Sequence, residues 1–346
     1  MFHGRNDRHS LVNPLDDDIS QEGSSSYYKC IQPRRGTLMK NTERIVRHIT
    51  IKDTPDLEQV FILGNEIGEG SFGKVIVVTE KSTNTKWAMK MISKSLLVYL
   101  QREIQILKMV NHPHIVYLDK VYESSKKIYL ILELCHGELW VLFKERKPFS
   151  ETISKRITND LASAVAYLHK NVHRDIKLEN ILLARNPKDP KDEYYIKLSD
   201  FGLSVIKTGT GIESMLHDCC GTILYMAPEM LSGSYSHQCD VWAIGVIMYL
   251  LLFGVYPFFS THEKELARKI LKDEVNYPAS KVSADALNLM KQLLKKDPAY
   301  RITSSEMLES KWLAGGKAGI NMMDMMKEWK DEIRVRYSNL FLLLVI

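Results

Sequence analysis

The eight residues from His173 to Asn180, "HRDIKLEN", constrain this chain more than any other stretch. His173, Arg174, Asp175, Lys177, Glu179 and Asn180 are all polar, yet "AYL" lies shortly before them and "ILLA" follows directly. A solvated surface helix carries such charges, and for an arbitrary charge cluster that is the common explanation. The alternative is a loop that does chemistry, in which Asp175 takes a proton, Lys177 neutralises a phosphate and Asn180 holds a metal. The pattern His-Arg-Asp-x-Lys-x-x-x-Asn fixes five residue types. At average residue frequencies it arises by chance in a chain of this length roughly once in ten thousand sequences.

Other motifs precede and follow it in a fixed order. "GEGSFGKV" sets Gly68, Gly70 and Gly73 between two strand-like runs, with Val75 next. Alone, this spacing often marks only a turn. A dinucleotide fold requires a helix directly after it. Here "KVIVVTE" reads as a strand, so the glycines fit a hairpin that covers phosphates with its backbone N–H groups. Lys90 closes the apolar run "WAMK", and Glu103 sits in the helical segment "YLQREIQILKMV", with a solvent-facing Arg102 beside it. A lysine at a strand end is usually just solvated; paired with a carboxylate it becomes a phosphate clamp. Asp200 in "SDFGLS" precedes Phe201 and Gly202. Mg²⁺ takes one or two carboxylate or amide oxygens plus substrate phosphates. Asn180 and Asp200 supply such oxygens if the fold brings them together. Glu229 in "MAPEML" and Arg301 in "DPAYRIT" suit a buried ion pair.

The chain changes character along its length. Residues 1 to about 50 are polar and aperiodic and read as a flexible arm. From about Val60, short β-branched runs alternate with turn residues, a strand pattern interrupted by one helix. After about Cys135, helical spacing dominates, from "SETISKRITNDLASAVAYLHK" to the amphipathic "SADALNLMKQLLKKD". "DVWAIGVIMYLLLFG" is apolar nearly all round and predicts a buried helix. The expectation is an α+β fold of two lobes with a cleft between them. A net charge of +5, with both signs interspersed, is too mild to indicate nucleic acid. No apolar run reaches the 18 residues that span a bilayer, and the start lacks a signal-peptide pattern. Five cysteines without metal-ligand spacing predict reduced thiols and a cytoplasmic setting.

The ordered set of glycine loop, strand lysine, "HRD" loop, "DFG" and "APE" resembles a eukaryotic protein kinase. The resemblance runs from about residue 57 to 314, roughly three quarters of the chain. It implies a flexible arm over 1–56, a β-rich N-lobe over 57–134, a helical C-lobe over 135–314 and a tail over 315–346. It implies ATP and Mg²⁺ as cofactors and proteins bearing Ser or Thr as substrates. Asp175 would be the catalytic base and Lys177 the contact to the transferring phosphate. Asn180 and Asp200 would hold Mg²⁺, and Lys90 with Glu103 the strand–helix ion pair. Ile67, Gly68, Glu69, Gly70, Ser71, Phe72, Gly73, Lys74 and Val75 would form the roof over the nucleotide. Val75 and Ala88 above and Leu182 below would enclose the adenine. Glu133 and Cys135 would offer hinge backbone groups behind a gatekeeper Leu132. Lys177 with Thr222 points to the serine/threonine type. Glu138 and Glu179 would receive a substrate arginine, which favours basic sequences. Leu250 stands where some relatives carry a further acidic residue, which puts a second arginine pocket in doubt. Asp218 stands where many kinases carry a phosphorylated threonine, and would give Arg174 a permanent partner. The details are similar to the calmodulin-dependent-kinase group. "KWAMK", "SHQCDVWAIGVIMYLLL", "NMMDMMKEWK" and the hairpin "ARNPKDPKDEYYIKL" narrow the resemblance to one member.

Three spacings are shorter than the family's. Lys90 and Glu103 are 13 residues apart. The hinge "ELCHGEL" is a residue short, and only Lys170, Asn171 and Val172 separate "YLH" from "HRD". Either the preceding helix absorbs the last loss, or the chain is a weakly active or inactive pseudokinase that acts as a binding scaffold, or the sequence is a splice form or imperfect gene model. The tail "NMMDMMKEWKDEIRVR" reads as a helix packed on the second lobe, with a regulatory partner as the alternative. Calmodulin targets are usually more basic than this.

Overall fold

The computed structural model describes residues 45–315 apart from 53, 71–72, 169–170, 207–215, 217–220 and 279–281. The elements that position the site begin with β1 (Arg47–Thr50) and α1 (Thr54–Val60). β2 (Phe61–Gly70), β3 (Gly73–Glu80) and β4 (Thr85–Ser93) follow, then α2 (Leu97–Met109), β5 (Leu118–Glu123) and β6 (Lys127–Glu133). These strands form one sheet of six, in the order β1-β5-β6-β4-β3-β2. Only β1 pairs in parallel, with β5. The sheet therefore begins ten residues before the lobe boundary read from the sequence, inside the stretch read as an arm.

Alternation along the strands sorts their side chains to two faces. Ile128 and Leu130 of β6 and Ile92 of β4 join the main core beside α2. Tyr129, Ile131 and Met89 point the other way, into a smaller cluster with Leu57 of α1 and Phe61. Lys90 shares the α2-facing side with Ala88 and Ile92. Lys90 lies inside β4 rather than at its end, because the strand runs on to Ser93.

A short β7 (Gly137–Glu138) leads into α3 (Leu139–Arg146) and α4 (Glu151–Leu168). Then come β8 (Asn171–Val172), β9 (Ile181–Leu183), β10 (Ile196–Leu198) and β11 (Val205–Ile206). β7, β9 and β10 form a three-stranded antiparallel sheet, and β8 pairs with β11. Helices α5 (Pro228–Leu231), α6 (Gln238–Phe253), α7 (Glu263–Lys272), α8 (Ala284–Leu293), α9 (Ser304–Leu308) and α10 (Lys311–Ala314) complete the described chain. Every residue of α6 is buried, as its uniform hydrophobicity predicts. It ends at Gly254, whose φ of 77° suits a residue without Cβ. Arg301 and Glu229 form the buried pair expected: Nη1–Oε1 is 2.5 Å and Nη2–Oε2 is 2.9 Å. The β-rich first part and helical second part make this an α+β fold, as the sequence indicates.

Candidate active site

β2 and β3 meet at Gly70 and Gly73, which pair across the hairpin. Gly73 has φ +143°, and a Cβ there would lie 1.9 Å from the Met91 carbonyl oxygen. No other residue fits. Gly68 is different: a Cβ there would meet nothing within 4 Å, so its backbone stands open. Ile67, Glu69 and Lys74 are exposed, and Lys74 is paired with Glu66 at 3.1 Å. Ser71 and Phe72 lie outside the described residues.

Lys90 Nζ donates to Glu103 Oε1 at 2.7 Å and approaches Asp200 Oδ1 at 3.5 Å. The short connection is spanned by a 3₁₀ turn, Lys94–Leu96, that passes directly into α2. Burial lowers the Lys90 pKa, but Glu103 and Asp200 outweigh it and leave it raised. Burial raises that of Asp200, while Lys90, His173 and the Gly202 N–H bring it below its ordinary value.

The "HRD" segment follows α4 almost at once. The helix persists through Leu168, and the chain is already in β8 at Asn171. One carboxylate then fixes the loop. Asp240, in the first turn of α6, accepts from the backbone N–H of His173 at 2.8 Å and of Arg174 at 2.9 Å. Arg174 takes φ +72° and Asp200 φ +61°. Such strain in non-glycine residues persists only where the surroundings over-determine it, commonly at functional sites. The His173 ring lies 4.9 Å from that of Phe201 and its Nε2 donates to the Ser199 carbonyl oxygen at 3.0 Å. β8–β11 pairing, Val172 to Val205, adds a third tie between this loop and the "DFG" segment.

Asp175 stands at the centre. Asn180 Nδ2 donates to its Oδ2 at 3.0 Å, Lys177 Nζ lies 2.8 Å from the same oxygen, and Lys177 also donates to Thr222 Oγ1 at 3.1 Å. The Thr222 N–H donates to Asp175 Oδ1 at 3.2 Å. Gly221 makes that approach feasible. Its φ is +103°, and a Cβ would sit 2.7 Å from the Arg174 carbonyl oxygen. Asn180 spends its amide nitrogen on Asp175 and keeps a carbonyl oxygen for another partner. The Ser199 N–H donates to the Asn180 backbone carbonyl at 2.9 Å, which sets Asp200 one residue beyond that contact, and amide and carboxylate oxygens are the hard donors that Mg²⁺ takes. Among the described residues, no group of three or more His, Cys, Asp or Glu could hold a metal by itself.

Ala88 is buried, and Val75 and Leu182 are half-buried. The Glu133 side chain accepts from the Tyr117 N–H at 2.7 Å and from Lys197 Nζ at 2.8 Å. Burial, with Glu133 nearby, pushes the Cys135 thiol up to about 12, so it stays protonated at neutral pH. Glu138 is exposed, and Glu179 keeps one buried carboxylate oxygen that lacks a hydrogen-bond partner. Leu250 is buried in α6 and opens no pocket. Asp218 and the 316–346 tail lie outside the described residues.

The sequence reading missed two anchors. Asp240 had a signal, since an acidic residue opening an all-apolar helix must find donors. Lys197 had none, because only the fold brings β10 beside the hinge.

The protein kinase domain family model matches residues 61–313. Serine/threonine-protein kinase 33 of Mus musculus is 44% identical over 304 residues, covering 83% of this chain and 62% of that protein. The Bos taurus protein of the same name is 44% identical over 308 residues, covering 84% and 63%. Calcium/calmodulin-dependent protein kinase type 1B of Rattus norvegicus is 36% identical over 278 residues, covering 77% and 79%. The chain thus spans under two thirds of the length of the two kinase-33 relatives, the member to which the narrower sequence resemblance points. With Glu103 and Asp200 both at Lys90 and the "HRD" loop tied to the "DFG" segment through His173, the chain belongs to the protein kinase domain family.

Proposed function

We propose that the chain is a serine/threonine protein kinase that transfers the γ-phosphoryl group of ATP to Ser or Thr hydroxyls of protein substrates. The observation that carries this is Lys90 held by Glu103 at 2.7 Å with Asp200 at 3.5 Å, where the "HRD" loop is tied to Ser199, next to Asp200, through His173. Lys90 binds the α- and β-phosphates, and the Gly68–Gly73 hairpin covers them with backbone N–H groups. Glu133 and Cys135 meet the adenine through their backbones, between Val75, Ala88 and Leu182. Asn180 and Asp200 hold Mg²⁺, which when bound offsets charge on the β- and γ-oxygens. Asp175 accepts a hydrogen bond from the substrate hydroxyl and orients its oxygen in line with the γ-phosphorus. Lys177, already beside Asp175, neutralises the transferred group. Thr222 holds Asp175 from the other side.

The partnerless oxygen of Glu179 supports a preference for a substrate arginine, which would supply charged donors to it. Exposed Glu138 adds to the same acidic surface. Buried Leu250 argues against a second such pocket. Asp218 lies outside the described residues; its sequence position alone supports the expectation that activity survives phosphatase treatment. We place the catalytic unit over the lobes 57–134 and 135–314, together with β1, and in the cytoplasm.

The test is transfer from γ-labelled ATP by purified protein, beside an Asp175→Asn control. Transfer by the parent and its loss in the control support the reading. ATP binding without transfer in the parent means a pseudokinase scaffold instead.

A further inference from the structure

We propose that residues 45–52, which precede the family-matched region, form a positioning element that holds α2 where Glu103 meets Lys90. This rests on the kinase reading for its catalytic consequence but not for its structural one.

The observations converge on one carboxylate. Glu123, at the end of β5, accepts from His48 Nε2 at 2.6 Å and pairs with Lys94 Nζ at 2.5 Å. The other His48 nitrogen, Nδ1, accepts from Lys108 Nζ at 3.1 Å. His48 belongs to β1, Lys94 to the turn entering α2, and Lys108 to the last turn of α2. Both ends of α2 are thus tied to β1 and β5. Side-chain hydrogen bonds from Lys94 and His48, against the cost of burial, hold Glu123 below its ordinary pKa, so it is ionised at neutral pH.

Packing adds to this. Val46 is buried in the same core as Ile104, Leu107 and Val110. β1 is fixed in register against β5, from Arg47 opposite Lys120 to Thr50 opposite Glu123, and the Ile51 N–H donates to the Glu123 carbonyl oxygen at 2.8 Å.

Geometry explains why the tie acts on Glu103. Lys108 is five residues on, about 500° around a helix at 100° per residue, so it leaves on another side of α2. Glu103 faces Lys90 while Lys108 reaches β1. Each exposed pair alone contributes little. The strand ladder, buried Val46 and the cluster of Glu123 with His48, Lys94 and Lys108 act together, on a helix whose tether to β4 is short.

The experiment uses the full chain with Val46→Asp and the double substitution Val46→Ala/His48→Ala, and Val46→Ile as the conservative control. Hydrogen exchange is followed peptide by peptide, and phosphoryl transfer is measured at saturating ATP. The expected result is faster exchange over 97–109, with α4 and α6 unchanged. kcat should fall about tenfold in both disrupted variants, the peptide KM should change less than twofold, and Val46→Ile should restore both readouts. Unchanged exchange over 97–109 in both disrupted variants overturns the proposal, as does loosening spread equally over α4 and α6. If the parent transfers no phosphate, the kinase reading fails, and the exchange data alone decide the positioning role.

Discussion

Lys90 Nζ and Glu103 Oε1 lie 2.7 Å apart although only 13 residues separate them in the chain. A 3₁₀ turn of three residues joins strand and helix without a loop. The short spacing therefore does not prevent the pair; it shortens the path along which α2 can swing. Both partners are largely shielded from water, so removing either one leaves the other as a buried charge that has lost its partner.

Lys90→Met should lower phosphoryl transfer at least 100-fold, about 2.7 kcal/mol of transition-state stabilisation. Thermal unfolding should remain a single cooperative transition. Labelled-phosphate transfer together with a melt checks both; parent-like transfer removes Lys90 from the mechanism.

The Lys90–Asp200 contact sets a pH signature. The Asp200 pKa is lowered in the folded chain, so its contribution is present above the ordinary value of 3.8 and is lost as pH falls through the folded value. The Lys90 pKa is raised, so its contribution is present below 10.5 and is lost as pH rises through its folded value. Urea midpoints from pH 2 to 5 should fall more steeply with acid in the parent than in Asp200→Asn. Equal slopes would show that the contact does not stabilise the fold.

Asp240→Ala should leave two buried N–H groups, of His173 and Arg174, without acceptors. Each such group costs about 1–3 kcal/mol. kcat should drop more than tenfold while nucleotide affinity, read by calorimetry, changes little. A parent-like kcat would mean that the ties to the "DFG" segment fix the loop without Asp240.

Lys197→Met removes the cation that holds the Glu133 side chain at the hinge. The KM for ATP should rise about tenfold, or about 1.4 kcal/mol, with a smaller change in kcat. Lys197→Arg should recover part of the affinity. A change confined to kcat would contradict a hinge role.

Arg301→Ala strands Glu229 in the C-lobe interior. Loss of one partner of a buried pair costs about 3–5 kcal/mol. Chemical denaturation should report a drop of that size, and Arg301→Lys should not repair it, because one ammonium cannot replace the forked donors to Glu229, Gln238 and Lys295.

The sequence alone determined the α+β class, the order of the motifs and the burial of α6. Those features live in local spacing: period-two runs give strands, and an all-apolar run of helical length has to be interior. It also named Lys90, Asp175, Asn180 and Asp200, which stand within short motifs, and offered Glu103 of the following helix as a partner for Lys90. Only the tertiary structure decided whether they meet. Lys90 and Asp200 are 110 residues apart, and no local rule states that a 13-residue link can still close the Glu103 pair. The same holds for Asp240 under the "HRD" loop, Lys197 behind Glu133 and β1 beside β5. These are contacts between distant segments that nothing in either segment's own pattern announces. Their partners are fixed by how β4, α2, β10 and α6 pack, since a buried charge is stable only where the assembled fold brings it a partner.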